Sequence, residues 1–201
     1  MLLNSIPLEI VAGIGILVLL AWYRRPITLA VVAGLPFAIS LTSSGNNDML
    51  PTFLLGAGLL TLPRWYGGVL LGISVAVKPY TVVFLPLALS QGSTAVLMVA
   101  LATTTLGYVP ALWWGGFGDS LAMANAMHRP SVLRYTAAPL ALGALRWPLL
   151  ACLAFAALTL TSEWWSLGYL VPLIMAAGIL LEPDGRWSSE PWRSFTQRVE
   201  V

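Results

Sequence analysis

The fold of this chain depends on one stretch, GGVLLGISVAVKPY, which covers residues 67–80. An apolar, glycine-containing run ends here in Lys78, Pro79 and Tyr80. Pro79 has no N–H to donate and its ring disfavours helical backbone at Lys78, so a regular helix is disfavoured at this point. An ionisable side chain in so apolar a segment is also a functional candidate by default.

Two arrangements of residues 66–89 fit this pattern. In the first, one helix spans a membrane with Lys78 at its middle, which costs roughly 2.5–3.5 kcal/mol on insertion scales. In the second, residues 67–90 form a broken, re-entrant helix pair with Lys78 and Pro79 at its tip, each half about 11 residues or about 16 Å long. Non-helical backbone at that depth requires protein or a wet cavity around it.

The composition is typical of a protein embedded in lipid. Of the 201 residues, 58% are hydrophobic and 9% are charged, and the mean hydropathy is +0.84. Soluble domains carry about 25% charged residues. We therefore predict a multi-pass integral membrane protein of a prokaryotic cytoplasmic membrane, with the lipid bilayer as a partner. The net charge of +2 is small and its basic residues are scattered, so no nucleic-acid partner is expected.

The apolar segments predict the fold class, which is an all-α, polytopic transmembrane helical bundle. A span needs about 20 helical residues, which gives about six full spans in addition to the broken pair at 67–90. Residues 1–181 are expected to form a single domain, and residues 182–201 a short polar or interfacial tail. The expected spans are residues 6–23, 26–42, 49–63, 93–114, 137–160 and 164–181.

A polar loop, SSGNND, interrupts the apolar sequence at residues 43–48. One interpretation is purely structural, because Gly, Asn, Asp and Ser favour tight turns and Asp48 is placed to cap a helix that starts at Met49. The other is functional. The amides of Asn46 and Asn47 would bind sugar hydroxyls, and the carboxylate of Asp48 would act as a catalytic base or metal ligand.

Lys78 also has two interpretations. It either pairs with an acid or with backbone carbonyls, for which Glu9 in the first apolar segment is a candidate, or it binds a phosphate. Tyr80 would then add a hydroxyl. His128 and Arg129, in the polar connection at residues 115–135, are either interfacial side chains or further substrate-binding residues.

The chain has one His and one Cys, which excludes a His/Cys metal site, and it contains no HExxH, P-loop or GxSxG motif. We therefore expect no cofactor. A divalent cation is conceivable but has no ligand cluster in the sequence.

Residues 43–86 resemble a segment of the GT-C superfamily of membrane glycosyltransferases, most closely the polyprenol-phosphate-mannose-dependent mannosyltransferases. The resemblance rests on the loop GNND at residues 45–48, an apolar helix, Arg64–Trp65, and the small-residue-rich run that ends in Val77, Lys78 and Pro79. It implies the broken pair and transfer of a hexose, which for the mannosyltransferases of that superfamily is mannose, from a polyprenyl-phosphate donor at the extracytoplasmic face. Lys78 would then hold the lipid phosphate, with Asp48 as the base.

Two departures from that family keep other functions open. Such enzymes carry a catalytic acid in an early extracytoplasmic loop, whereas Glu9 is the only acid before Asp48 here. They are also usually about twice as long. The chain is therefore interpreted as a glycosyltransferase or half of one, or alternatively as a non-catalytic accessory subunit that binds a membrane protein partner. A carrier of lipid phosphates is a third hypothesis.

Overall fold

The computed structural model describes residues 6–34, 48–113, 132–161 and 167–182, together with Gly118 and Ala122. These residues form helices and turns, and none of them lies in a β-strand. A 3-10 helix (Pro79–Phe84), one α-turn (Leu85–Leu87) and a π-helical turn (Ala88–Gly92) make up the irregular segment 79–92, and a 3-10 turn (Leu167–Tyr169) precedes the last helix. The regular helices are α1 (Ile6–Trp22), α2 (Pro26–Ala33), α3 (Met49–Thr61), α4 (Trp65–Val77), α5 (Thr94–Trp113), α6 (Val132–Gly143), α7 (Leu150–Leu160) and α8 (Leu170–Leu181).

Helix α3 lies at the centre of the bundle and contacts α1, α4 and α8. Leu55 and Leu59 of α3 and Leu71 of α4 are fully or almost fully buried in the shared core. Helix α4 also packs on α5, where glycine permits close approach. A Cβ placed on Gly68 would lie 2.6 Å from the carbonyl oxygen of Val96, so a larger residue would push the two helices apart. This packing fixes the position of the C-terminal end of α4.

Helix α4 ends where the proline predicts. Its last residue is Val77, and Lys78 follows with extended backbone at φ −140° and ψ 104°. Because Pro79 has no N–H, the carbonyl of Val75 loses its usual partner four residues later. The hydroxyl of Tyr108 on α5 donates to that carbonyl at 3.0 Å. The hydrogen bond from α5 therefore stabilises the end of α4. The backbone of Lys78 leaves the helical conformation at this point.

The end of α8 is joined to the start of α2 by a carboxylate. Glu182 Oε1 accepts the N–H of Ile27 at 3.1 Å, and Oε2 accepts the N–H and hydroxyl of Thr28 at 2.9 and 2.6 Å. Free N–H groups at a helix start favour a negative charge. Burial acts to raise the pKa of Glu182, but these hydrogen bonds and the nearby charge of Arg25 together outweigh it, and the pKa is lowered. Residues 183–201, the rest of the predicted tail, lie outside the described residues.

The predicted transmembrane bundle is wrong for the part of the chain that the structure describes. None of its helices is both sufficiently long and sufficiently apolar to cross a membrane. Several expected spans are shorter than the roughly 20 residues required, since α3 has 13 residues and α8 has 12. The polytopic transmembrane fold class, the re-entrant character of residues 67–90 and the integral membrane localisation are corrected accordingly.

Two further differences concern the second half of the chain. The polar connection expected to run to residue 135 already becomes helical at Val132. The expected span 137–160 is divided, because α6 ends at Gly143 and α7 begins at Leu150. Arg146, Trp147 and Pro148 lie in the turns between them. Pro148 has no N–H to donate and disfavours helical backbone at the residue before it, so a regular helix is disfavoured through this segment.

Candidate functional site

The structure brings four polar side chains together at the start of α3, and we call them the Asp48 cluster: Glu9, Asp48, Lys78 and Tyr80. Lys78 Nζ lies 3.0 Å from Asp48 Oδ1. The hydroxyl of Tyr80 donates to the same oxygen at 2.7 Å. Two donors therefore bond the same carboxylate oxygen. Hydrogen bonds to an ionised carboxylate are stronger than those between neutral groups, and here one donor is charged as well.

Glu9, rather than Asp48, caps helix α3. Asp48 occupies the residue before the helix, but its side chain makes no capping bond. The carboxylate of Glu9, from α1, accepts the N–H of Met49 at 2.8 Å instead. The backbone carbonyl of Asp48 accepts the N–H of Thr52 at 3.1 Å and also its hydroxyl. The side chain of Asp48 is therefore not needed for the helix start, and the purely structural interpretation of this residue loses its main support.

Asp48 is almost completely buried, with 1% of its surface exposed. Its second oxygen, Oδ2, is buried and has no hydrogen-bond partner among the described residues. A buried carboxylate oxygen without a donor costs free energy, so such an atom requires an explanation. One explanation that fits a binding site is a donor supplied by a ligand.

Lys78 connects this buried carboxylate to the surface. Its side chain is 26% exposed, whereas that of Asp48 is 1% exposed. Its position follows from the helix end, because Thr81 closes the turn by donating its N–H and its hydroxyl to the Lys78 carbonyl. The ammonium also lies 5.7 Å from the centre of the Tyr80 ring. An ammonium has three donors, so Lys78 can keep its bond to Asp48 and still contact an anion from solvent.

The ring of Tyr80 is fixed from two sides by residues of the C-terminal part of the chain. Phe155 of α7 packs edge-on at 5.3 Å between centroids, and Tyr169, just before α8, does so at 5.2 Å. Edge-to-face geometry is favourable for aromatic pairs. Phe84, which is fully buried, packs against Phe155 in turn. The aromatic residues thereby determine where the Tyr80 hydroxyl points.

The cluster holds two carboxylates and one ammonium, and burial dominates its electrostatics. Burial raises the pKa of Glu9 above its usual 4.5, and the charge of Asp48 raises it further, while the Met49 N–H and the Lys78 charge act in the opposite direction. Burial and the charge of Asp48 likewise raise the pKa values of Tyr80 and Tyr169. Both phenols are therefore neutral donors at ordinary pH, and the carboxyl of Glu9 holds its proton more tightly than an exposed glutamate does.

The arrangement has the parts needed for anion binding and for proton transfer. Lys78 provides a positive charge that solvent can reach, and Glu9 is a half-buried carboxylate with a raised pKa. In the described part of the chain, the His, Cys, Asp and Glu side chains do not gather in groups of three that could hold a metal ion. The cluster therefore offers acid–base and electrostatic chemistry.

Three of the residues predicted from sequence, Asp48, Lys78 and Tyr80, meet in this cluster. The observed partner of the Tyr80 hydroxyl is Asp48, so its predicted contact with substrate stays a prediction. Asn46, Asn47, His128 and Arg129 lie outside the described residues, and their predicted roles in substrate binding stay predictions as well.

The sequence suggested Glu9 only as a possible partner of Lys78, and it did not place Phe155 or Tyr169 in the site. For Glu9 a signal existed, because a carboxylate in an otherwise apolar segment requires a partner. For Phe155 and Tyr169 the sequence carries no such signal, because aromatic residues in apolar helices are usually packing residues.

No protein-family model, no curated protein and no solved structure matches this chain. The resemblance of residues 43–86 to GT-C glycosyltransferases therefore stays a prediction.

Proposed function

We propose that the Asp48 cluster catalyses transfer of a hexose from a polyprenyl-phosphate donor to a hydroxyl of an acceptor. The observation that carries this proposal is the convergence of a partly exposed lysine and two carboxylates at one helix start, where one carboxylate oxygen has no donor among the described residues. The resemblance of residues 43–86 to GT-C enzymes supplies the donor class. Mannose is the hexose that this resemblance favours.

In this proposal Lys78 binds the phosphate of the donor. The ammonium stabilises the negative charge that develops on the phosphate oxygen as the bond from that oxygen to the sugar C1 breaks. Val77 and Val82, on either side of Lys78 in sequence, are 40% and 44% exposed. These side chains give apolar surface beside the charge, which suits a lipid phosphate better than a free inorganic one.

The carboxylates have different roles. The acceptor oxygen forms a bond to C1 while its proton passes to a carboxylate base. Asp48 was the base predicted from sequence, but its Oδ1 is bound by Lys78 and Tyr80 and it is buried. Glu9 is more accessible and its pKa is raised, so we assign it as the base and assign Asp48 to binding. The assignment also provides a catalytic acid near the start of the chain, as GT-C enzymes have, because the matched segment 43–86 begins after that part of the chain.

The test measures hexose transfer from a polyprenyl-phosphate mannose to added acceptors by the purified chain and its variants. Lys78→Ala, Asp48→Asn and Glu9→Gln should each abolish transfer, and Lys78→Ala should also abolish binding of the donor. Arg64→Ala is the matched cation control, since Arg64 lies at the opposite end of α4 and its side chain bonds only Tyr66 among the contacts described. Each variant is first shown to be folded by its cooperative thermal transition. Transfer that persists in all three cluster variants would refute the proposal.

A non-catalytic accessory subunit is the second candidate, and one observation favours it. Large apolar side chains are exposed along α1, where Val11, Ile14, Val18 and Trp22 follow one another at helical spacing and are 55–78% exposed. Extended exposed apolar surface is typical of a face that binds a partner. The mass of the purified particle separates the two functions: a complex of fixed stoichiometry without transfer activity supports the subunit, and an active monomer supports the enzyme.

A further inference from the structure

The hydroxyl of Tyr80 is directed into the protein. It donates to Asp48 Oδ1 at 2.7 Å, the same oxygen that Lys78 Nζ contacts at 3.0 Å. A carboxylate has two oxygens and about four sites for donors. Because Tyr80 and Lys78 both use Oδ1, Oδ2 is left as the buried acceptor that lacks a donor among the described residues.

The ring that carries this hydroxyl has little freedom. Phe155 and Tyr169 pack against it at 81° and 87° between the ring planes. Asp48 belongs to the start of α3, whereas Phe155 belongs to α7 and Tyr169 to the 3-10 turn before α8. Tyr80 therefore links the carboxylate to a rigid aromatic layer, and rotation of the Asp48 carboxylate would break the bond to that layer.

We propose that Tyr80 is a positioning residue, which holds Asp48 Oδ1 so that Oδ2 is presented as the single acceptor for one hydroxyl of the acceptor substrate. The inference rests on the proposed function and deepens it, since it assigns the selection of acceptor to Asp48 and the selection of donor to Lys78. A buried carboxylate oxygen can only accept, so the group that matches Oδ2 is an O–H or N–H donor, and a substrate hydroxyl is such a group. The tyrosine acts through Asp48 and touches no reacting atom.

The first test compares Tyr80→Phe with Tyr66→Phe. Tyr80→Phe keeps the ring between Phe155 and Tyr169 and removes only the hydroxyl. With polyprenyl-phosphate mannose as donor, the KM for the acceptor should rise roughly tenfold or more, which corresponds to weakening one hydrogen bond to a charged group, while the KM for the donor stays within about twofold. Tyr66 is the control because its hydroxyl bonds Arg64 outside the cluster. Equal changes in both KM values, as a general loss of structure would give, would overturn the inference.

The second test needs neither donor nor acceptor. Protein labelled with ¹³C at the aspartate carboxyl carbons gives a signal for Asp48, assigned by its loss in Asp48→Asn. Tyr80→Phe should shift this signal, and Phe155→Leu, which removes one side of the aromatic layer, should shift it less and in the same direction. Tyr66→Phe should leave it unchanged. An Asp48 signal that is the same in wild type and Tyr80→Phe refutes the positioning role, whether or not the chain transfers hexose. A shifted signal in a chain without transfer activity leaves Tyr80 as the residue that orients Asp48 and refutes only the reaction.

Discussion

Replacing Lys78 by methionine tests the energetics of the cluster directly. The change keeps the length and apolar stem of the side chain and removes its charge, so Asp48, 1% exposed, loses its cation. At 3.0 Å and an effective dielectric constant of about 20, the attraction between the two charges is about 5–6 kcal/mol before desolvation is subtracted. Removing one partner of a buried pair costs about 3–5 kcal/mol. Because a quarter of Lys78 is exposed, we expect the lower end of that range, about 3 kcal/mol.

A double-mutant cycle isolates the pair from other effects. Asp48→Asn removes the charge while retaining an acceptor for the Tyr80 hydroxyl, and the double variant Lys78→Met with Asp48→Asn contains neither charge. The double variant should lose less unfolding free energy than the sum of the losses in the two single variants, by about 2 kcal/mol. The free energies of unfolding are measured by denaturant titration, and all variants are fitted with one common dependence on denaturant concentration. Arg64→Met, at an exposed site, should change stability by less than about 0.5 kcal/mol.

The refuting result is additivity. If the two single effects sum to that of the double variant, or if Lys78→Met costs less than about 1 kcal/mol, the ion pair contributes no more than a surface contact. The buried carboxylate of Asp48 would then not depend on Lys78 for its stability.

Two further predictions concern Glu9 and Gly68. The pKa of Glu9 is raised above 4.5 in the folded state, so the folded chain binds this proton more tightly. The stabilisation from this bound proton is present at low pH and is lost as pH rises from about 4.5 through the folded pKa. Glu9→Gln should therefore flatten the dependence of the unfolding free energy on pH in this range. An unchanged slope in Glu9→Gln would assign the pH dependence to other groups. Gly68→Ala would bring a Cβ to 2.6 Å from the Val96 carbonyl, a backbone atom that cannot rotate away, and should cost about 2–3 kcal/mol in denaturant unfolding. Gly15→Ala, whose Cβ would meet the movable ring of Phe53 at 3.0 Å, is the control and should cost clearly less, and equal costs would contradict the packing argument.

The polar residues of the site were partly predictable because each is costly in an apolar chain. Asp48, Lys78 and Glu9 all stand out in a sequence that is 9% charged, and a buried charge requires a partner. Their pairing was not predictable, since Lys78 could bond either Glu9 or another acid. The same composition also led to the incorrect prediction of a transmembrane bundle. Apolar residues predict burial, but hydropathy alone does not show where helices end, as the division of residues 137–160 into α6 and α7 demonstrates.

By itself the sequence determined that helical backbone is disfavoured at Lys78, because the missing N–H and the ring of Pro79 act locally. It also predicted helices for the apolar segments, and the described residues form helices and turns. The tertiary structure decided which acid binds Lys78, which acid caps α3, and where the Tyr80 hydroxyl points. These contacts join residues 32 and 40 positions apart, so they depend on how α1, α3 and the aromatic layer pack together. Distances of that kind are set by the whole core, and no local pattern specifies them.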